Sequence, residues 1–255
     1  MVFLKFLNEA WCVMAECTKE LYGTEFIFAY RDDSQGDNGV IGQVLDGLCF
    51  DIERWHQGRV AMAYYVDLIK NKKTPLIMDA GANIGASSIY FSSLFKESRI
   101  ISIEPERNNV ELLKKNVSQL KDCKVIDGAL GAVPGTMFLQ DPGLSDWGFR
   151  VGDKGDYSVQ VTTVNQVLDT NCDCIPFLAK IDIEGGELSL FDNDTDWFLR
   201  FAVVIFETHD WMLPYKGVSN GLIRAAAQGD FDMLFHGENL FFFNHKWLLN
   251  HHNPF

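Results

Sequence analysis

The sequence predicts an α/β fold in which helices cover both faces of a doubly wound, mostly parallel β-sheet. From about residue 71 onward, short apolar strands alternate with helical segments, which is the order of repeated βα units. The run Phe201–Thr208 is apolar almost to its end, as is typical of a central parallel strand buried on both faces. Near the C-terminal end, Asp232–His236 and Leu240–Phe243 flank a turn at Gly237 and predict an antiparallel hairpin that closes the sheet.

The other predicted elements follow from hydrophobic periodicity and from glycine and proline breaks along the chain. In chain order they are an amphipathic helix from about Phe3 to Leu21, a strand at Glu25–Tyr30, a loop at Arg31–Gly39, a helix at Gln57–Lys70, a strand at Leu76–Asp79, a helix at Gly85–Leu94, a strand at Arg99–Glu104, a helix at Arg107–Leu120, a strand at Lys124–Asp127, a helix at Thr163–Leu168, a strand at Phe177–Ile183 and a helix at Gly186–Phe191. Residues 1–70 are expected to form an N-terminal helical or cap segment packed on the core, and residues 71–255 the main domain. Turn signals predict hairpins or a lid inserted near residues 130–160.

Length and charge limit the classes of function. The chain has 255 residues and 47% hydrophobic content, which suffices for one α/β domain with a sizeable core. Its net charge of −13 argues against nucleic acid and anionic membranes as partners, because both would be repelled, and favours a small-molecule acceptor. The N-terminal apolar run is interrupted at Asn8 and Glu9, unlike a signal peptide, so we expect a cytoplasmic protein. Nothing in the pattern indicates an oligomeric state.

The most informative run is Leu76–Ser88, in which an apolar strand leads to Asp79, then to a turn with Gly81 and Gly85, then to a helix start. The next predicted strand ends on Glu104. This is the layout of a nucleoside-cofactor site at the carboxyl edge of a parallel sheet. The glycines let the backbone approach a ligand closely, and the second acid can accept hydrogen bonds from both ribose hydroxyls.

The class of cofactor follows from the details of this turn. A dinucleotide fingerprint needs three glycines and places a helix N-terminus against a pyrophosphate. Here only Gly81 and Gly85 are present, and Asp79 just before them would repel a pyrophosphate. An acid at that place suits the amino group or sulfonium of S-adenosylmethionine. An NAD-dependent oxidoreductase and a non-catalytic nucleoside-binding module remain alternatives, as does a tight turn without any ligand.

Charged residues gather at the ends of two later strands. Lys180, Asp182 and Glu184 alternate with isoleucines, so a strand there places all three on one face. Such charges are costly in a buried strand, and an internal ion pair of Lys180 with either acid is the simpler explanation. Glu207 and His209 also share a face where their strand leaves the core. The histidine is a candidate general base because its pKa lies near neutral pH, although a hydrogen-bonded structural histidine is the alternative.

With these segments in place, the chain resembles the FkbM family of S-adenosylmethionine-dependent methyltransferases. Asp79–Gly85 resembles the cofactor loop of the family, and Ile103-Glu-Pro105 followed by Asn116 resembles its second motif. Lys180–Glu187 resembles the family signature, except that Gly186 replaces the usual alanine. The strand end Phe206–His209 also matches. The ordered match covers roughly residues 75–210. It implies a class I methyltransferase (Rossmann-like) fold and, most often, O-methylation of a hydroxyl on a sugar or another natural product.

The resemblance also suggests a role for each candidate residue. The methionine part of the cofactor would be surrounded by Gly81, Asn83 and Gly85, and its amino group would lie near Asp79. The ribose hydroxyls would bind to Glu104, and the adenine would lie near Asp127 and Gly128. The place where cofactor and acceptor meet would be at Asp182. His209 is the candidate base, with Glu207 orienting it or binding the acceptor and Glu184 as a rival for either role.

A metal site is the main alternative for these residues. Asp182, Glu184, Glu207 and His209 could hold a divalent ion that binds the acceptor hydroxyl, and oxygen ligands with one imidazole suit Mg²⁺ or Mn²⁺. The only close cysteine pair, at residues 172 and 174, lacks a second pair to complete a zinc site. The prediction adopted is a site without metal, with Mg²⁺ as the alternative.

Overall fold

The computed structural model describes residues 3–7, 10–140, 150–152, 155 and 157–251. Its elements, in chain order, are β1 (Phe3–Leu7), β2 (Ala10–Leu21), β3 (Thr24–Arg31), α1 (Gln35–Val40) continued by a π-helical turn (Ile41–Asp46), α2 (His56–Lys70), β4 (Thr74–Ala80), α3 (Ala86–Leu94), β5 (Arg99–Glu104), α4 (Arg107–Val117), β6 (Cys123–Asp127), β7 (Ala129–Leu130), β8 (Gly135–Gln140), β9 (Arg150–Gly152), β10 (Tyr157–Thr162), α5 (Val164–Thr170), β11 (Cys174–Ile181), α6 (Glu187–Leu190), a 3₁₀ turn (Asp196–Arg200), β12 (Val203–Glu207), α7 (Asn220–Ala226), β13 (Phe231–His236), β14 (Asn239–Asn244), α8 (His245–Leu248) and a second 3₁₀ turn (Leu249–His251).

Seven of these strands form the central sheet, in the order β6-β5-β4-β11-β12-β14-β13. The five strands from β6 to β12 are parallel, and β14 and β13 are antiparallel to them as a hairpin. The order reverses direction between β4 and β11, and ligands of open α/β sheets bind at such a point. The predicted doubly wound, mostly parallel sheet with a C-terminal antiparallel hairpin is confirmed.

Each face of the sheet has its own hydrophobic core. Ile77 of β4 packs with residues of α2 and α3 in one core, whereas its neighbours Leu76 and Met78 pack with residues of α5 and α7 in the other. All three side chains are fully buried. This alternation, which follows from the two-residue period of a strand, explains why successive residues in the middle of β4 are all apolar.

The N-terminal segment differs from its prediction. The predicted helix from Phe3 to Leu21 is wrong: β1, β2 and β3 form an antiparallel sheet instead. Leu21 pairs with Thr24 across a two-residue turn, and both turn residues, Tyr22 and Gly23, have positive φ (48° and 72°). Such a turn matches the twist of a hairpin. It favoured two strands over a helix, whereas the short apolar pattern fits both the helical period and the two-residue period of a strand.

A third sheet is formed by the chain between β6 and α5, in the region predicted to contain hairpins. Its order is β7-β10-β8-β9, with β8 antiparallel to both β9 and β10. Residues 141–149, 153, 154 and 156 of the predicted insertion lie outside the described residues. The role of this region as a lid stays a prediction, as do the domain boundaries.

Three smaller differences concern the remaining elements. The predicted loop at Arg31–Gly39 contains α1, whose N-terminus is capped by the Ser34 side chain, which accepts from the Asp37 backbone. Strand β11 ends at Ile181 rather than at residue 183. Helix α7 was not predicted. No helix among the described residues is long and apolar enough to cross a membrane.

Candidate active site

A cavity of about 260 Å³ opens at the carboxyl ends of the parallel strands. Its lining comes from the loops that follow β4 and β5, the first turns of α3 and α4, strand β7, the ends of β11 and β12 with the turn after β11, the turn between β13 and β14, and residues of the N-terminal segment between Val40 and Phe50. The cavity therefore lies where ligands bind in doubly wound sheets.

The glycine-rich turn is held against the loop that follows β11. Gly81 has φ of +72°, and a Cβ atom there would lie 1.6 Å from the backbone oxygen of Asp182. Asn83 also has a positive φ (49°) and lines the cavity beside Gly81. Gly85 does not line the cavity; it begins α3 at φ +95°, and a Cβ atom there would lie 2.9 Å from Leu113 Cδ1. The first glycine thus permits a close contact between two loops, and Gly85 permits close packing of helix α4.

Asp79 lies beneath this turn rather than on the cavity wall. Its side chain is fully buried, and one carboxylate oxygen accepts hydrogen bonds from the hydroxyls of Ser87 (2.7 Å) and Ser88 (2.6 Å). The other oxygen is 3.7 Å from Lys180 Nζ. The structure therefore connects Asp79 to the first turn of α3 and to a buried cation, while its predicted contact with a cofactor amino group stays a prediction.

Glu104 lies on the cavity wall at the end of β5. Its two carboxylate oxygens accept backbone N–H groups of Asn83 and Glu106, each at 2.9 Å. Burial raises the pKa of Glu104 to about 7, although these two hydrogen bonds act in the opposite direction. The carboxylate is thus held in one orientation by the backbone before any ligand binds.

The cavity wall is not formed by the two residues predicted to lie near the adenine, but by the two residues that follow them in the chain. Asp127 and Gly128 do not line the cavity, whereas Ala129 and Leu130 do. Asp127 is half exposed and forms an ion pair with Lys114 at 3.3 Å. A Cβ atom at Gly128 would lie 2.5 Å from a backbone oxygen of β10, which gives this glycine a packing role.

Lys180 forms the ion pair that the sequence suggested. Its ammonium group is 3.2 Å from Asp182 Oδ2 and donates to the backbone oxygen of Gly81 at 2.7 Å. Burial lowers the pKa of Lys180, but the charges of Asp182 and Asp79 outweigh this effect and raise the pKa above its usual range. This buried cation connects the glycine-rich turn with the loop after β11.

The predicted single face of Lys180, Asp182 and Glu184 is wrong, because only the lysine belongs to the strand. Asp182 and Glu184 follow the end of β11, and Glu184 has φ of 54°, a rare value for a residue with a side chain. The turn nevertheless directs both acids toward His209. A strained backbone at the edge of a cavity is a common property of functional sites.

His209 is the centre of the acidic group. Its side chain is 1% exposed, and its Nδ1 is 2.9 Å from Glu187 Oε1. The same oxygen accepts the backbone N–H of Ile183 at 3.2 Å. Glu187 had no predicted role, although it ends the signature segment, because an acid on helix α6 can be placed against a residue beyond β12 only by the tertiary structure.

Three carboxylates face the other ring nitrogen of His209. Its Nε2 is 3.5 Å from Glu184 Oε2 and 3.7 Å from both Asp182 Oδ1 and Glu207 Oε1. Within the described part of the chain, Asp182 Oδ1 and Glu184 Oε2 are buried without a hydrogen-bond partner. The structure therefore brings together all four residues that the sequence proposed for catalysis.

Mutual repulsion and burial shift the pKa values in this group. Burial, and then the charge of Asp182, raise the pKa of Glu184 to about 7 and that of Glu207 to about 9. Burial lowers the pKa of His209, but its hydrogen bond to Glu187 and the surrounding carboxylates raise it to about 9. At neutral pH the group thus retains a cation at His209 or takes up protons, which disfavours the imidazole as a free base.

Most of the residues that line this cavity belong to a segment that matches a known family. Residues 79–233 match the family model of the methyltransferase FkbM domain. No curated protein matches the chain significantly. Among solved structures the chain is similar to an FkbM methyltransferase of Methylobacillus flagellatus KT, with 17% identity and a TM-score of 0.46 over 67% of this chain and 43% of that chain. The chain thus spans less than half the length of that relative.

Two further structures show similarity in the same way. The S-adenosylhomocysteine-bound methyltransferase PaMTH1 of Podospora anserina has 11% identity and a TM-score of 0.39 over 75% of this chain and 82% of that chain. The fibrillarin pre-rRNA processing protein of Methanococcus jannaschii has 9% identity and a TM-score of 0.43 over 96% and 97% of the two chains. With more than half of its length matched by the family model, this chain belongs to the family of FkbM methyltransferase domains.

Proposed function

We propose that this protein transfers a methyl group from S-adenosylmethionine to a hydroxyl of a small acceptor, such as a sugar or another natural product. The observation that carries the cofactor part is Glu104, whose carboxylate is oriented by two backbone N–H groups on the cavity wall. A fixed carboxylate at the end of the second strand is suited to two ribose hydroxyls. Membership of the FkbM family supports the reaction class and the choice of a hydroxyl acceptor.

The proposed position of the cofactor follows the lining of the cavity. Its methionine part would lie against Gly81 and Asn83, its ribose against Glu104, and its adenine beside Ala129 and Leu130. The last two side chains are apolar and buried, which suits the flat face of a purine. The methyl group would then point toward Asp182, whose backbone is in close contact with Gly81.

The proposed chemistry is a direct displacement. The acceptor oxygen attacks the methyl carbon, the carbon–sulfur bond breaks, and the hydroxyl proton leaves. A sulfonium is a good leaving group, so the protein mainly aligns the two reactants and receives the proton. Asp182, Glu184 and Glu207 line the cavity beside the proposed methyl position and supply oxygen atoms that can accept hydrogen bonds from an acceptor.

Calorimetric titration with S-adenosylhomocysteine and, separately, with NAD tests the proposal. We expect micromolar binding of S-adenosylhomocysteine and no binding of NAD. Glu104→Gln should weaken S-adenosylhomocysteine binding at least tenfold, whereas Glu97→Gln, which changes an exposed carboxylate, should not. Binding of NAD alone would favour an oxidoreductase, and binding of neither would favour a protein without this activity.

A further inference from the structure

We propose that Asp182, Glu207 and His209 bind one divalent metal ion of the Mg²⁺ or Mn²⁺ type beside Glu184, and that Glu187 positions the histidine for it. The role of the ion in catalysis, which is to hold the acceptor hydroxyl, rests on the proposed function. Binding of the ion itself does not depend on that function.

Glu187 determines which ring nitrogen of a neutral His209 carries the proton. A carboxylate only accepts hydrogen bonds, so Glu187 Oε1, 2.9 Å from Nδ1, requires the proton of a neutral imidazole to be on Nδ1. The N–H of Ile183 points at the same oxygen, which further defines that oxygen as an acceptor. The lone pair of Nε2 is then directed at Asp182, Glu184 and Glu207. Histidine ligands of metals are held by a carboxylate in this way.

The carboxylates around His209 need a positive charge to balance them. A nitrogen lone pair and three carboxylate oxygens converge on one region, and two of these oxygens, Asp182 Oδ1 and Glu184 Oε2, are buried without a hydrogen-bond partner in the described residues. Buried carboxylates require a cation or a proton. Lys180 does not meet this need, because its ammonium group lies nearest to the other oxygen of Asp182, Oδ2, and donates to Gly81.

The distances from His209 to two of the carboxylates are compatible with one shared ion. One ligand atom each from Asp182, Glu207 and His209 lies within 4.8 Å of the others. Nε2 of His209 is 3.7 Å from both Asp182 Oδ1 and Glu207 Oε1. Around an octahedral ion with bonds of roughly 2.1 Å, neighbouring ligands are about 3.0 Å apart and opposite ones about 4.2 Å apart, and both distances from Nε2 lie between these values. Two carboxylates with one imidazole favour Mg²⁺ or Mn²⁺ over softer metals.

The position of the ion suggests a class of acceptor. The backbone of Asp182 is in close contact with Gly81 of the glycine-rich turn. An ion bound to Asp182 would therefore lie beside the proposed position of the methyl group. Three protein ligands leave three positions of an octahedral ion. Two of these could be taken by an acceptor with two adjacent oxygen atoms, such as a vicinal diol. The ion lowers the pKa of a bound hydroxyl. Methyl transfer would then form the carbon–oxygen bond and break the carbon–sulfur bond, which would leave the cofactor as a thioether, and the hydroxyl proton would pass to a carboxylate that lines the cavity.

Mn²⁺ binding to the full chain, measured by the loss of the free-ion signal in electron paramagnetic resonance, tests the site without any turnover. We expect one Mn²⁺ per chain, displaced by excess Mg²⁺. Asp182→Asn and Glu207→Gln should each weaken Mn²⁺ binding at least tenfold. Asp169→Asn removes an exposed carboxylate of α5 and should bind Mn²⁺ like the parent protein.

Glu187→Gln separates positioning from folding. We expect Mn²⁺ affinity to fall by roughly 10–100-fold, the usual effect of losing a carboxylate behind a metal-bound histidine. Binding of S-adenosylhomocysteine should be unchanged, which would show that the variant is folded. The proposal would be overturned if the parent did not bind one Mn²⁺ per chain. It would also be overturned if Asp182→Asn and Glu207→Gln bound Mn²⁺ as well as the parent does. In either case a protonated His209 would be the cation of this group. If the parent protein bound Mn²⁺ but not S-adenosylhomocysteine, the result would count against the proposed function and not against the metal site.

Discussion

The two halves of the cavity differ in how their carboxylates are stabilised. In the half formed by the loops after β4 and β5, both oxygens of Glu104 accept backbone N–H groups. In the half formed after β11 and β12, oxygens of Asp182 and Glu184 are buried without such partners among the described residues and face His209. The first half is organised by hydrogen bonds from the backbone. The second brings like charges together, and it therefore depends on a cation or on protons.

Lys180→Met should have the largest effect, because this cation connects the two halves. Its removal leaves Asp79 and Asp182 without their buried cation. Breaking a buried ion pair on one side costs about 3–5 kcal/mol of unfolding free energy. Chemical denaturation measures this loss, and Lys72→Met, which changes an exposed lysine, is the control. A loss below about 1 kcal/mol would show that the two halves are stabilised independently.

Gly81→Ala should disrupt both halves at once. The added Cβ would lie 1.6 Å from the Asp182 backbone oxygen at a φ that favours glycine, so one loop must move. We expect S-adenosylhomocysteine affinity to fall at least 100-fold, about 2.7 kcal/mol, and Mn²⁺ affinity to fall with it. Gly135→Ala, where the structure shows open space, is the control for both titrations. If only S-adenosylhomocysteine binding were lost, the metal half would be independent of the turn.

The pH dependence of cofactor binding should report on the first half. Burial raises the pKa of Glu104 to about 7, so the carboxylate becomes protonated as pH falls below that value and loses its hydrogen bonds from the ribose. We expect S-adenosylhomocysteine affinity to fall from pH 8 to pH 6 in the parent protein. In Glu104→Gln the affinity should be weaker and should vary less over this range. A parallel pH dependence in both proteins would assign the titration to another group.

The raised pKa of Glu104 affects the stability of the ligand-free protein in the opposite direction, because this contribution to the free energy of unfolding decreases as pH rises. Because the folded-state pKa of Glu104 exceeds its ordinary value of 4.5, folding favours the protonated acid. Its contribution to stability is fully present below the pKa of the unfolded chain and is lost as pH rises through about 7. Denaturation of the ligand-free parent at pH 6 and pH 8, compared with Glu104→Gln, measures this contribution; an increase in the contribution with rising pH would contradict it.

Asp127→Asn should have the smallest effect. Although its position in the sequence predicts a contact with adenine, its carboxylate is half exposed, pairs with Lys114 and lies off the cavity wall. Exposed ion pairs contribute little to stability. We expect S-adenosylhomocysteine affinity to change less than twofold by calorimetry. A tenfold loss would restore Asp127 to the cofactor half and show that the cavity closes around the ligand.

Local patterns were reliable where a segment interacts mainly with itself or with a neighbouring strand. Strand β5 matches its prediction at both ends, and β4, α3 and the C-terminal hairpin lie within a few residues of theirs. The N-terminal segment was wrong, since a short apolar pattern fits a helix and a hairpin alike. A turn of two residues with positive φ, Tyr22 and Gly23, decided the outcome.

The sequence by itself determined the doubly wound sheet, the glycine-rich turn and the presence of acids at strand ends, because periodicity and glycine placement act over a few neighbouring residues. Only the tertiary structure decided which acids meet. Glu187 on α6 reaches His209 beyond β12, and Asp182 and Glu184 reach it from a turn rather than from one strand face. Such contacts depend on how distant elements pack, and buried charge is stabilised by its spatial neighbours, whatever their separation along the chain.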